Sequence, residues 1–363
     1  MTLNKPKVLA GMSGGVDSSV AAGLLLESGY EVIGVTIEPF YFYEFYKDNE
    51  RLNPKGNIKD AKEVCDKLGI EHIIVDYFDF FKNNIVNYFI RDYISGRTPN
   101  PCAKCNPLIK WGKLLQTADE LGAEYIATGH YAKIVKDENS NRFLLKKGDD
   151  NKKDQSYFLW GLSQSQLSRT LLPLGCFTKD EVRNIAKRKG FKVHDKTESQ
   201  EVCFIADNDY HNFLRNSIPD IDEKIGEGNI MFRGRVIGRH KGYPFYTIGQ
   251  RKGIGITYRD ALYVKKINPS DNTIEVGVEG ELYNSSLIAH PINLIKFESI
   301  DSDKIFDVKI RYKDKGSKAK CKIIENGKLL IEFLEEKRAI TPGQSAVLYE
   351  ENDLVAGGVI ENF

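Results

Sequence analysis

Four short segments carry residue types whose spacing could do chemistry. The first is Gly11-Met12-Ser13-Gly14-Gly15-Val16-Asp17-Ser18-Ser19, set between the apolar runs Val8-Leu9-Ala10 and Val20-Ala21-Ala22-Gly23-Leu24-Leu25-Leu26. Strand, glycine loop and helix start, in that order, aim backbone N–H groups and the positive end of a helix dipole at a phosphate. Glycines permit the positive φ angles and close approach that a Cβ would block. No lysine follows in the G-x-x-x-x-G-K-[ST] arrangement, so this is not a Walker A loop for a transferable γ-phosphate. Serine hydroxyls and amides suit a leaving pyrophosphate of ATP instead. Asp17 suits Mg²⁺, and as a loop carboxylate it is expected to have no role in the core.

The second segment is Gly96-Arg97-Thr98-Pro99-Asn100-Pro101-Cys102-Ala103-Lys104-Cys105-Asn106, a cysteine loop before a helix. A thiol near a helix N-terminus and beside Lys104 is expected to have a lowered pKa. The third, Lys153-Asp154-Gln155-Ser156-Tyr157-Phe158-Leu159, runs from polar to aromatic, and the fourth, Ser199–Ile205, places Cys203 at the edge of an apolar run. The Cys102/Cys105 pair lacks a second C-x-x-C, which argues against a closed zinc site. Cys65, Cys176 and Cys321 read as small buried hydrophobes.

The elements that must position these residues alternate. Strands at Val8–Ala10, Glu31–Ile37, His72–Asp76 and Tyr125–Thr128 are spaced by helices at Ser18–Ser28, Ile58–Leu68, Asn83–Ile94 and Pro107–Leu121. That spacing implies an α/β, doubly wound parallel sheet with ligands at the carboxyl ends of its strands, where the glycine loop, Thr36-Ile37 and Gly129 all fall. Thr178 followed by Glu181 is a capping box opening a basic helix. From Ala261 the pattern becomes short runs of small-β-barrel spacing. The expected domains are therefore 1–207, a catalytic nucleotide-binding domain; 208–260, a glycine-rich basic module; and 261–363, a C-terminal β-barrel. The stretch Phe40–Tyr46 reads as an aromatic cluster packing a long loop, without chemistry of its own.

The 363 residues are 41% hydrophobic and 28% charged, an ordinary globular composition with room for two or three domains. Neither an apolar leader nor a bilayer-length apolar run occurs, so a cytoplasmic protein without a membrane partner is expected. The net charge of +1 conceals an uneven distribution: residues 1–100 carry 11 Lys/Arg against 14 Asp/Glu, 141–200 carry 13 against 7, and 231–266 carry 9 against 1. Such basic stripes are where a polyanion would lie.

Taken in order, the glycine loop, Gly96–Asn106, Ala127-Thr128-Gly129-His130-Tyr131, Lys153–Leu159, Cys203-Phe204-Ile205 and Thr247–Gly253 resemble one family, with support from Lys309-Ile310-Arg311-Tyr312 and Ala339–Gln344. The glycine loop resembles those of the PP-loop ATP pyrophosphatases (adenine-nucleotide hydrolase-like fold), and the whole set resembles the tRNA-specific 2-thiouridylases. That resemblance implies sulfur placed on C2 of the wobble uridine, position 34, of tRNA of the Lys, Glu and Gln type. The base would be activated as an O2-adenylate, with ATP and Mg²⁺ as cofactors, and a persulfide donor, such as a cysteine desulfurase or sulfur-relay protein, would be the partner. It implies Gly11, Met12, Ser13, Gly14, Gly15, Val16, Asp17, Ser18, Ile37 and Gly129 for ATP, and Asn100, Pro101 and Cys102 against the target base. It further implies Lys153, Asp154, Gln155, Arg311 and Tyr312 for tRNA, Cys203 as persulfide carrier, and Cys105 as nucleophile or as the thiol that closes a Cys105–Cys203 disulfide.

Many family members have aspartate where this chain has Cys102. The three cysteines Cys102, Cys105 and Cys203 leave a second route open, a [4Fe–4S] cluster carrying the sulfur. Another ATP-dependent ligase or amidotransferase using the same loop, and a non-catalytic RNA-binding protein, are the competing classes. The first needs an ammonia or amino-acid site and no reactive cysteines; the second would turn over no modified base.

Overall fold

The computed structural model describes residues 5–38, 54–196, 202–205 and 208–362. Phe40–Tyr46 and Ser199–Glu201 lie outside the described residues. The chain divides into two compact units, one drawn from Met1–Lys82, Cys102–Ala206 and Asn352–Val355, the other from Asn83–Pro101, Asp207–Glu351 and Ala356–Phe363. Residues 83–101, expected within the first domain, thus belong with the second unit.

The first unit contains strands β1 (Lys7–Gly11), β2 (Glu31–Ile37), β3 (Glu71–Val75), β4 (Tyr125–Ala127), β5 (Ala132–Asp137), β6 (Arg142–Lys147) and β7 (Thr170–Leu171). Five of them form a sheet in the order β3-β2-β1-β4-β7, with parallel pairing throughout. The order reverses between β1 and β4, so the carboxyl ends of these two strands flank the crevice where such sheets take their ligands. Val8 and Leu9 of β1 and Ile126 of β4 are fully buried, as a strand covered on both faces requires. Each contributes about 1.5–3 kcal/mol by leaving water. The helix Val16–Glu27 buries Val20, Ala21, Ala22 and Leu25 against this sheet, and Gly29 ends it at φ +87°. The basic helix Lys179–Arg188 begins with the expected capping box: Thr178 Oγ1 accepts from the Glu181 amide, and Glu181 accepts from the Thr178 amide at 2.7 Å. β5 and β6 form an antiparallel hairpin.

The second unit holds β8 (Gly228–Phe232), β9 (Arg235–His240), β10 (Tyr263–Asn268), β11 (Thr273–Gly277), β12 (Tyr283–Leu294), β13 (Ile305–Lys309), β14 (Ser317–Ile324), β15 (Lys328–Arg338), β16 (Ser345–Glu350) and β17 (Asp353–Ile360). The first four make a sheet ordered β10-β11-β8-β9. The expected boundary at 260 is therefore displaced: Tyr263–Gly277 pairs with the central module, β11 lying parallel to β8. The remaining six close into a barrel ordered β12-β15-β14-β13-β16-β17, with β12 also pairing β17.

Candidate active site

The glycine loop leaves β1 and enters Val16–Glu27 with the geometry a phosphate needs. Gly15 occupies the N-cap without a side-chain cap, so the first amides of the helix lack an intrahelical partner. Gly14 has φ +69°, and a Cβ there would stand 2.2 Å from the Asn57 carbonyl oxygen. The turn is held from inside. The Ser13 amide donates to Ser18 Oγ at 3.2 Å, and the Ser19 hydroxyl donates to the Gly15 carbonyl at 2.8 Å. The Met12 amide donates to the Val35 carbonyl at 2.7 Å, and the Thr36 hydroxyl to the Met12 carbonyl at 2.8 Å. Gly129, just after β4, lies against the start of the same helix, where a Cβ would come within 2.7 Å of the Asp17 backbone. Ile37 closes β2 on the same edge of the sheet.

Asp17 is more than a loop carboxylate. Both of its oxygens accept from Lys179 Nζ at 2.8 Å, and Oδ1 also accepts from the Tyr131 hydroxyl at 2.7 Å. The Lys179 side chain is 9% exposed. The expectation that Asp17 has no structural role is overturned, because it is the counter-ion of a buried lysine. Lys196 adds a second cation, donating to the Gly14 carbonyl at 3.0 Å and to Asp60 at 2.5 Å. Neither lysine stands out in the sequence; Lys179 follows the capping residue Thr178, and that position is the available signal.

The three cysteines lie in the same unit. Cys102 and Cys105 lie three apart on the helical turn Pro101–Cys105, which runs directly into a π-helix, Asn106–Lys113. Both are partly buried and Cys203 is exposed. Its neighbour Phe204 is buried, ring to ring with Phe81 at 5.8 Å. Burial, reinforced by the nearby Cys203, pushes the Cys102 thiol up to about 11. Burial raises Cys105 further, with Cys203 and Cys102 adding to it and Lys110 opposing. This reverses the expectation of a lowered pKa: desolvation outweighs the short helix, and the opposing cation is Lys110 and not Lys104. Cys203 thus acts electrostatically on both thiols from nearly a hundred residues away in sequence. Among the described residues no group of three His, Cys, Asp or Glu side chains could hold a metal ion. Cys65 and Cys321 are buried as expected, but Cys176 is exposed.

A family described as the tRNA methyl transferase HUP domain matches residues 6–207. Its PRC-barrel domain matches 211–278, and an aminomethyltransferase β-barrel domain matches 284–360. The tRNA-specific 2-thiouridylase MnmA 1 of Clostridium botulinum is 46% identical over 98% of this chain and 99% of its own length. The tRNA-specific 2-thiouridylase MnmA 2 of Clostridium tetani is 45% identical over 99% of this chain and all of its own. The chain belongs to the tRNA-specific 2-thiouridylase family. Membership makes it a tRNA-uridine sulfurtransferase. Among solved structures, a 4-thiouridine synthetase in complex with RNA and ATP is 18% identical, covering 59% of this chain and 51% of its own at a TM-score of 0.35. NMN synthetase from Francisella tularensis is 19% identical, covering 62% and 73% at a TM-score of 0.33.

The remaining residues expected of a 2-thiouridylase are placed unevenly. Asn100 is buried, its amide donating to Ser345 Oγ at 3.2 Å. The segment before it is clamped by the tail motif: Gln344 Nε2 donates to the Thr98 and Pro99 carbonyls at 3.1 Å each. Pro101 opens the cysteine turn. Lys153 is partly exposed, but Asp154 is buried, its carboxylate filled by the Gly148 and Ser156 amides and the Ser156 hydroxyl. Gln155 Oε1 accepts from the Tyr131 amide at 3.0 Å, which fixes the residue that holds Asp17. Asp154 and Gln155 therefore build the loop that presents Lys153. Arg311 is exposed and Tyr312 partly so, just past β13.

Proposed function

We propose that this chain thiolates C2 of uridine 34 in tRNA of the Lys, Glu and Gln type, through an O2-adenylated base and a persulfide on Cys203. The observation that carries the reading is that Cys203, Cys102 and Cys105 share the unit that holds the glycine loop, with Cys203 near enough to raise both other thiols. Uracil O2 attacks the α-phosphate of ATP, the bond to pyrophosphate breaks, and a poor leaving oxygen becomes part of AMP. The loop amides and the start of Val16–Glu27 receive the departing pyrophosphate. Gly129 and Ile37 border the adenosine. Asp17 would hold Mg²⁺, and Lys179, released from it, would turn its ammonium to a phosphate oxygen.

The persulfide's terminal sulfur then attacks C2 and AMP leaves. The Cys105 thiolate attacks Cys203 Sγ, so the S–S bond breaks and its electrons leave with the sulfur on C2, giving the thiocarbonyl. The resulting Cys105–Cys203 disulfide is reopened by a thiol reductant, and a persulfide donor reloads Cys203. The target nucleotide must be extruded to reach the site, with Asn100, Pro101 and Cys102 against the base. Lys153, Arg311 and Tyr312 contact the tRNA. The deciding experiment is mass spectrometry of wobble uridine from tRNA incubated with protein, Mg-ATP and a persulfide donor. Appearance of 2-thiouridine is expected; ATP turnover without a modified base would contradict the reading.

A further inference from the structure

The glycine loop is gripped from outside by a lysine distant in sequence. Lys196 Nζ donates to the Gly14 carbonyl at 3.0 Å, to Asn57 Oδ1 at 2.7 Å and to Asp60 Oδ2 at 2.5 Å. These acceptors match the three protons of an ammonium. Asn57 and Asp60 stand on the helix Pro54–Leu68. The backbone of Lys196 is seated as well. Its amide donates to the Val193 carbonyl at 3.1 Å, and Arg183 donates to the His194 carbonyl at 2.7 Å and to the Lys196 carbonyl at 3.4 Å. Arg183 belongs to the helix Lys179–Arg188, so the helix that opens with the counter-ion of Asp17 also seats Lys196.

The bond to Gly14 matters through the other side of that peptide. In a trans peptide the carbonyl and the following N–H point in opposite directions. With the Gly14 carbonyl turned to Lys196, the Gly15 N–H is turned away from it, and Gly15 is the N-cap of Val16–Glu27. The peptide joins two glycines, Gly14 at φ +69° and Gly15 at φ −105°, so no Cβ on either side resists its rotation. Half a turn would put a carbonyl oxygen where an N–H should meet a phosphate. The serine hydroxyls act one peptide further on: Ser18 and Ser19 both donate to the Gly15 carbonyl, at 3.2 and 2.8 Å.

We propose that Lys196 is a positioning residue for the pyrophosphate end of ATP: its ammonium locks the Gly14–Gly15 peptide with the N–H toward the phosphates. It acts through the backbone and does not itself touch the ligand. The inference rests on the glycine loop receiving pyrophosphate, as in the activation step proposed above, and is independent of the sulfur chemistry.

The test is calorimetric titration of the full chain in Mg²⁺ with pyrophosphate and, separately, with AMP. Lys196→Met should weaken pyrophosphate binding about ten-fold, the size of one hydrogen bond to a charged group, while AMP affinity stays within about two-fold. Retained AMP binding also reports that the variant is folded. Lys196→Met strands the Asp60 carboxylate near the loop, where its charge alone would repel an anion. The double variant Lys196→Met/Asp60→Ala removes a cation and an anion together and leaves the local net charge as it was. It should remain about ten-fold weak for pyrophosphate. Recovery of wild-type affinity in the double variant would overturn the proposal, since a purely electrostatic role predicts it. Unchanged pyrophosphate affinity in Lys196→Met, or equal losses for AMP and pyrophosphate in both variants, would overturn it too. Wild-type protein that binds AMP but not pyrophosphate would instead remove the cradle assigned to the loop, and the role of Lys196 with it.

Discussion

The glycine loop and the cysteine turn share one unit but are prepared in opposite ways. The loop is assembled in advance: its amides are aimed by the turn, its serines are bonded to one another, and its one carboxylate is neutralised by Lys179. A leaving pyrophosphate meets amides already aimed at it, the most economical form of electrostatic catalysis, while the Asp17–Lys179 pair would have to open for Mg²⁺. The cysteine turn is instead held back. Burial keeps Cys102 and Cys105 protonated, and Lys110 only partly counters it. In the mechanism proposed above, activation would run on a preformed cradle, while sulfur chemistry would wait on the charge of the thiols.

The sharpest way to break this comparison is at the loop. Asp17→Asn keeps the size of the side chain and one acceptor oxygen for Tyr131 and Lys179 but loses the second acceptor and the charge, and tRNA-dependent pyrophosphate release should fall to background. Asp17→Ala should also cost about 2 kcal/mol of stability, between the surface and buried limits for stripping a lysine of its carboxylate. Pyrophosphate release and thermal melts measure the two separately; wild-type release in Asp17→Asn would remove the carboxylate from the mechanism.

The cysteine turn should reveal itself through pH. With its pKa raised to about 11, Cys102 is almost wholly protonated at pH 8, about one thiolate in a thousand. Its alkylation rate should rise about ten-fold per pH unit between 7 and 10. A plateau reached below pH 9 would mean that the thiol is not held back.

Legibility follows locality. The glycine loop, the strand–helix alternation and the Thr178 capping box are local signals, and the structure carries each of them. The π-helix is not legible, because Asn106–Lys113 has an ordinary helical pattern, and the Gln166 side chain that donates to its Pro107 and Trp111 carbonyls lies far away in sequence. Lys110 is hidden for the same reason, and Lys104, adjacent in sequence, takes the role if only neighbours along the chain are weighed. Desolvation of the thiols likewise depends on what covers them. The module boundary escapes the pattern because β11 joins β8 by a parallel, non-local pairing that no run of residues announces.

A smaller effect is expected in the basic module. Arg251 and Lys252 are both exposed. Neutralising them together should weaken binding of cognate and non-cognate tRNA alike, lowering the log–log salt slope by about 0.7–0.9 for each phosphate no longer neutralised. An unchanged slope in filter-binding titrations would place these side chains away from the RNA.

The separation of a prepared activation site from a restrained sulfur site is tested most directly by Cys203→Ser. This variant, assayed with tRNA, Mg-ATP and a persulfide donor, should release pyrophosphate at a rate close to that of the wild type. Mass spectrometry of its tRNA should find no 2-thiouridine. Loss of pyrophosphate release together with thiolation, or thiolation without Cys203, would contradict it.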